Sequence, residues 1–141
     1  MIILDTNVLS ALMRQAPDER IVAWLDRQPR TSIWTTSTTV LEVRFGMKIM
    51  PVGKRRSSLI EAFEGLLHKI DQRVFPFDVA AAKQAADLMA SRHKKGQPGD
   101  LRDMMIAGIV LAQNATLATR NTAHFADIAA PIVDPWVGAE E

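Results

Sequence analysis

Three carboxylates and one amide occupy positions where side chains can do chemistry. Asp5 directly follows the apolar run Ile2-Ile3-Leu4, and Glu42 lies a few residues beyond the β-branched and aromatic stretch Ser32-Ile33-Trp34-Thr35-Thr36. Asp103 directly precedes the apolar run 104–112, and Asn121 lies just past Thr116-Leu117-Ala118-Thr119. Oxygen donors of this kind suit Mg²⁺, with Mn²⁺ as an alternative, because hard cations take oxygen ligands and keep several waters. The chain has no cysteine, which excludes a thiol nucleophile, a disulfide framework and any Cys-ligated zinc or iron–sulfur centre. His68, His93 and His124 lack metal-ligand spacing and read as surface residues. Each acid also has a plain structural reading. Asp5, Asp100 and Asp103 can cap helices, and Glu42 can close a capping box opened by Thr39. The joint pattern favours a site, since Ser or Thr would cap equally well where Asp5 ends a strand and Asp103 opens a helix.

The elements that must position these residues follow from periodicity. Ile2-Ile3-Leu4 suits a short strand buried on both faces, with a short helix after Asp5-Thr6-Asn7. A helical stripe fits 18–28, a strand 32–36, and a helix from the Thr39–Glu42 capping box to about Met50. A helix fits 56–69. Val74-Phe75-Pro76-Phe77 predicts a short strand whose proline places it at a sheet edge. Asp78 caps a helix in which Val79, Ala82, Ala86 and Met89 recur at helical spacing. The run 104–112 reads as a fully buried helix, and strands fit 116–119 and 131–133. Strands alternating with helices imply α/β architecture around a parallel sheet. Ligands then bind beyond the carboxyl ends of the strands, where Asp5, Glu42, Asp103 and Asn121 all fall.

Composition supports one globular domain over residues 1–141, with 48% hydrophobic and 23% charged residues and a net charge of +1. The seven methionines read as core filler. No apolar run approaches the ~20 residues of a membrane helix. The opening Met-Ile-Ile-Leu-Asp lacks the basic start of a signal peptide, so a cytoplasmic location without membrane contact is expected. Charge is uneven. Arg44, Lys48, Lys54, Arg55 and Arg56 fall in a stretch without acids, and Arg92, His93, Lys94 and Lys95 form a second cluster. From Asn121 onward come Asp127, Asp134, Glu140 and Glu141 without Lys or Arg. Such basic patches either attract phosphate backbones or simply face solvent.

Four motifs then resemble one family in order. Ile2-Ile3-Leu4-Asp5-Thr6-Asn7-Val8-Leu9 is similar to the opening of PIN-domain ribonucleases, the toxins of VapBC-type toxin–antitoxin pairs. Val40-Leu41-Glu42-Val43-Arg44-Phe45-Gly46 resembles the second acidic motif, and Asp103-Met104-Met105-Ile106-Ala107 the third. Ala118-Thr119-Arg120-Asn121-Thr122 resembles the last, and Val133-Asp134-Pro135-Trp136 is similar to the FitB-like branch. The resemblance covers nearly the whole chain. It implies a three-layer α/β/α fold with a mostly parallel sheet of about four to five strands. It also implies a metal-dependent endoribonuclease in which Asp5, Glu42 and Asp103 bind Mg²⁺ or Mn²⁺, with Asn121 as the fourth catalytic residue. The metal would neutralise a scissile phosphate and activate a water, and a carboxylate can accept the proton. A cognate antitoxin with a DNA-binding domain, a homodimer and a larger toxin–antitoxin assembly are implied in the same way. Two departures stand out: Asn121 where some relatives hold Asp, and His124 where many hold an acid. Asp100 is a second acid near the third motif, and the Ile-Ala context selects Asp103 over it.

Competing readings are weaker. A haloacid-dehalogenase-type phosphotransferase needs an acid two residues after Asp5, where Asn7 stands. No Gly-x-Gly-x-x-Gly or phosphate loop is present. The remaining alternative is a catalytically weak PIN-like protein that binds RNA or a partner, and a scaffold of that kind has no evident use for three acids. Thr6 either bonds a carboxylate or phosphate or caps a helix, and Arg120 either touches substrate or faces solvent.

Overall fold

The structure, a computed structural model, describes residues 1–137. Glu140 and Glu141 of the acidic C-terminal stretch lie outside the described residues. Among these residues the strands are β1 (Ile2–Leu4), β2 (Ile33–Thr36), β3 (Val74–Phe75), β4 (Thr116–Ala118) and β5 (Ile132–Val133). The helices are α1 (Thr6–Leu12), α2 (Glu19–Asp26), α3 (Ser37–Lys48), α4 (Lys54–Lys69), α5 (Val79–Lys94) and α6 (Leu101–Ala112). Short 3-10 turns cover Arg30–Ser32 and Thr122–Phe125.

All strand pairs are parallel, in the order β3-β2-β1-β4-β5. Ile3 pairs with Trp34 on one side and Leu117 on the other. Because side chains alternate across a strand, each strand feeds two cores. Leu4, Ile33 and Ala118 join Val8, Trp24, Val43 and Phe63 from α1–α4. Ile3, Leu117 and Phe75 join Ala81, Ile106, Ile109 and Val110 from α5 and α6. The result is helices, sheet, helices: a three-layer α/β/α fold with a five-stranded parallel sheet. β3 lies at the edge, as Pro76 predicts, and Phe75 stacks on Trp34 at 3.9 Å.

The chain runs outward from β1 through β2 to β3, then crosses back to place β4 on the other side of β1. The order therefore reverses between β1 and β4, and such a reversal opens a crevice beyond the strand ends. Asp5 and Thr119 are the first residues past those two ends.

Three local expectations are corrected. α5 buries Ala81, Ala85 and Arg92, whereas Val79 and Met89 of the expected stripe are exposed. The reason is close helix approach: a Cβ on Gly108 of α6 would lie 2.4 Å from the Ala81 carbonyl oxygen and 2.9 Å from the Ala85 Cβ. Small residues therefore win the contact face over larger apolar ones. α3 starts at Ser37 with Thr36 as its cap, since the Thr36 hydroxyl accepts from the Thr39 N–H at 3.1 Å. That puts Glu42 in the second turn rather than the first. α6 starts at Leu101, capped by Asp100, so Asp103 lies inside its first turn instead of opening it. Among the methionines, Met13, Met47 and Met104 fill the core, while Met1 and Met89 are exposed. α3 also leaves Leu41, Phe45 and Ile49 exposed at four-residue spacing, one apolar stripe on its outer face.

Candidate active site

Asp5 is the best-held group. It caps α1, accepting from the Thr6 N–H at 2.8 Å, and its other oxygen accepts from the Thr119 hydroxyl at 2.8 Å and the Asn7 amide at 3.3 Å. Only 3% of the residue is exposed. Burial raises its pKa above the ordinary 3.8 despite these donors, and the nearby Asp103 carboxylate pushes it the same way. The cap reading of Asp5 holds through one oxygen, while the other is held by Thr119 and Asn7 at the crevice.

Glu42 reaches the same place from α3. Its Oε1 accepts from the Thr6 hydroxyl at 3.1 Å, and Oε2 lies 3.7 Å from the Arg102 guanidinium. Its pKa is also raised, by burial first; the Thr6 hydrogen bond and Arg102 oppose the rise, and Asp5 and Asp103 add smaller repulsions. Behind Glu42 runs a line of hydroxyls. Thr6 has one proton and gives it to Glu42, so Thr39 donates to Thr6 across 3.0 Å, and Thr36 donates to Thr39 at 3.3 Å. Thr6 therefore bonds a carboxylate. Thr36, Thr39 and Thr119, all buried, are not read as site residues in the sequence, where Thr39 opens a capping box and Thr119 stands within the last motif.

Asp103 faces the cluster from α6. Its Oδ2 lies 3.2 Å from His124 Nδ1. His124 is exposed, as expected of it, yet it belongs to the site's edge. Asp100 is occupied as a cap, accepting from the N–H groups of Arg102 and Asp103. Asn121 lies at the rim: its N–H donates to the Thr119 hydroxyl at 3.0 Å, while its exposed side-chain amide makes no hydrogen bond among the described residues.

The three carboxylates thus sense one another electrostatically across the β1/β4 crevice. Among the described residues no three acidic or histidine side chains already close on a single point as a finished metal cage. A Mg²⁺-type ion needs only one or two protein carboxylates, filling its shell with water and phosphate oxygens. Desolvated acids whose burial outweighs their one weak ion pair are the right donor chemistry for such an ion.

Two hollows adjoin the cluster. One, of about 460 Å³, reaches it at Asp103 and His124 and includes Arg92, Lys95, Asp100 and Asp127. The other, of about 500 Å³, reaches it at Asn7 and includes Arg14, Asp18, Arg120 and Trp136. In the first, Arg92 is buried and grips Asp127 with two hydrogen bonds, at 2.9 and 2.7 Å, while also donating to the His124 carbonyl at 2.6 Å. Arg92 is therefore not part of an exposed basic patch with His93, Lys94 and Lys95.

The PIN domain family matches residues 2–131. The chain belongs to the PIN-domain family. The VapC ribonuclease Y4jK of Sinorhizobium fredii is 39% identical to this PIN domain over 137 residues, covering 96% of this chain and 98% of the relative. Toxin FitB of Neisseria gonorrhoeae is 35% identical over 139 residues, covering 96% and 99%. Among solved structures, FitAB bound to an IR36 DNA fragment superimposes on this PIN domain with a TM-score of 0.87 at 34% identity, covering 96% of each chain.

Proposed function

We propose that this protein is a divalent-metal-dependent endoribonuclease, the toxin of a toxin–antitoxin pair. The observation that carries the reading is the pair Asp5 and Glu42: two desolvated carboxylates beside Asp103 at the strand-order reversal, with Arg102, 3.7 Å from Glu42, too distant to offset their burial. The similarity to a VapC ribonuclease and to toxin FitB supports RNA as substrate and growth inhibition as outcome.

Asp5, Glu42 and Asp103 would hold Mg²⁺ or Mn²⁺. When bound, the ion supplies charge neutralisation at the phosphodiester and a lowered pKa for water. The chain's own residues do the rest. Thr119, Asn7 and the Thr6 N–H fix the Asp5 carboxylate in place, so only one geometry is offered to the ion. Glu42 is the better placed proton acceptor of the two held acids, since it is the more exposed. The hydroxyl line from Thr36 through Thr6 keeps one Glu42 oxygen pinned and leaves the other toward Arg102. Asn121 takes the fourth position as a neutral rim residue.

The likeness to the FitAB complex supports a cognate antitoxin carrying a DNA-binding domain as inhibitor. A homodimer belongs to the same proposal, and the Leu41-Phe45-Ile49 stripe is a surface that self-association would cover. A cytoplasmic location goes with it; among the described residues no helix is long and apolar enough to cross a membrane. The test is cleavage of a single-stranded RNA by the purified protein. Activity is expected with Mg²⁺ or Mn²⁺ and none in excess EDTA. Full cleavage in the chelator would remove the metal, and RNA bound but never cut would favour a binding protein.

A further inference from the structure

The hollow that reaches the site at Asn7 does not end there. Arg14, two residues past the end of α1, also lines a second hollow of about 650 Å³, which Lys54 and Arg55 line as well. Arg120, Arg14, Lys54 and Arg55 therefore form a continuous line leading away from the acidic cluster. All four are exposed, and among the described residues none is in an ion pair.

The charges along this line are available to a ligand. The one acid in it, Asp18, is held by Arg20 through hydrogen bonds of 3.2 and 2.8 Å, which lower its pKa to about 2. Its charge is shared mainly with Arg20, and Arg120 interacts with it more weakly. The Arg120 guanidinium lies over the buried Trp136 ring at 4.7 Å, which fixes its plane while leaving its edge N–H groups free. Its backbone N–H is tied to Asn7 Oδ1 at 3.1 Å, next to Asp5. Stability does not explain Lys54 and Arg55, because cations in the first turn of a helix oppose its dipole. The flank at Asp103 is different: there Arg92 and Lys95 face three carboxylates, and Arg92 is already bound to Asp127.

We propose that Arg120, Arg14, Lys54 and Arg55 form the track for the RNA backbone on one side of the scissile bond, Arg120 taking a phosphate near the cut and Arg14, Lys54 and Arg55 the following ones. The proposal rests on the ribonuclease reading and adds where the substrate strand lies. A polyanion meets four exposed cations and one acid on this flank, against three carboxylates on the other. Among the basic residues picked out in the sequence, this assigns Lys54 and Arg55 to the substrate and leaves Lys94 and Lys95 to solvent.

The test uses a fluorescently labelled single-stranded oligoribonucleotide and the Asp5→Asn protein, so that binding is read without cleavage. Three variants are made in that background: Arg14→Gln with Arg55→Gln, Arg120→Gln, and Lys94→Gln with Lys95→Gln. All sites are exposed, and unchanged melting curves confirm folding. The Arg14/Arg55 pair is expected to weaken binding about tenfold and to flatten the salt dependence by about 1.4 in log–log slope, ~0.7 per lost phosphate contact. Arg120→Gln is expected to flatten it by about half as much, and the Lys94/Lys95 pair not at all. Unchanged affinity and slope in the Arg14/Arg55 variant, or equal losses in the Lys94/Lys95 variant, overturns the track alone. Wild-type protein that neither binds nor cuts RNA overturns the ribonuclease reading, and the track with it. Intact RNA binding combined with lost co-purification with the co-expressed antitoxin assigns the surface to the protein partner and overturns the RNA proposal.

Discussion

Two carboxylate groupings lie against α6, and they are balanced in opposite ways. At Asp127 the chain supplies its own cation. Arg92 grips it with two hydrogen bonds and lowers its pKa, and a Cβ on Gly99 would come within 2.4 Å of that guanidinium. At Asp5 and Glu42 the chain supplies hydroxyls, amides and backbone N–H groups, with only Arg102 at 3.7 Å as a distant charge, and both pKa values rise. One grouping is electrostatically closed and ties α5 to the turn bearing His124. The other is held in shape but left short of positive charge. The difference separates their roles: the first is structure, and the second is, in the function proposed above, the place for a cation from outside.

The largest effect expected from breaking this contrast is at Asp5. Asp5→Asn keeps the side-chain shape but removes the most buried site charge. RNA cleavage should fall a hundredfold or more, about 2.7 kcal/mol or more in the barrier, in a single-turnover assay with Mn²⁺. Near-normal cleavage would place the chemistry elsewhere.

Opening the closed grouping should cost stability. Arg92→Met leaves Asp127 without its partner. Removing one member of a buried pair costs about 3–5 kcal/mol, and the partial exposure of the Asp127 side chain brings the expectation down to ~2 kcal/mol. Urea denaturation of metal-free protein measures this. Arg92→Met with Asp127→Leu should recover part of the loss, because no orphaned charge remains.

The two groupings should also respond to pH with opposite signs. The folded pKa of Asp127 lies below its ordinary 3.8, so the stability it contributes is present above that value and is lost as pH falls through the folded value. Asp5 and Glu42 lie above their ordinary 3.8 and 4.5. Their ionisation costs the metal-free fold stability at neutral pH, and that cost is relieved as pH falls through the raised values. Lowering the pH from neutrality should therefore stabilise metal-free wild type relative to Asp5→Asn, and destabilise it relative to Asp127→Asn. Denaturation midpoints at a series of pH values test both signs. The same relative shift for both variants would erase the distinction.

The smallest effect is expected at the rim. Asn121→Asp adds a fourth negative charge at an exposed position. Metal-free protein should melt slightly lower, and the rise in melting temperature with Mn²⁺ should grow, as linkage requires of tighter binding. An identical rise in both proteins would mean that Asn121 does not face the ion.

Much of this was legible in the sequence, for physical reasons. β1, β4 and α6 are nearly continuous apolar runs because they are buried on all sides, and Asp5 and Asp103 stand out against them. Pro76 placed β3 at the edge because it cannot donate to a ladder. The helix starts were less legible. A run of hydroxyls before α3 offers several caps, and Thr36 is chosen by where β2 stops pairing with Phe75. Asp100 and Asp103 compete as caps in the same way, and Asp100 takes the role. The buried face of α5 was hidden because it rests on Ala81 and Ala85 against Gly108, where small size counts and hydrophobicity does not. The supporting bonds to Asp5 and Glu42 were hidden for a different reason. Thr119 lies 114 residues from Asp5, and Thr39 lies 33 from Thr6, so only the assembled sheet brings them together.

The central claim is that the Asp5–Glu42–Asp103 cluster is built to receive a divalent cation and uses it to cut RNA. A single Mn²⁺ titration of chelator-treated protein, followed in parallel by melting temperature and RNA cleavage, tests it most directly. The two signals are expected to rise together to saturation in wild type, and both to stay flat in Asp5→Asn. Cleavage at full rate before any Mn²⁺ is added, or a thermal shift that survives Asp5→Asn unchanged, would contradict the account.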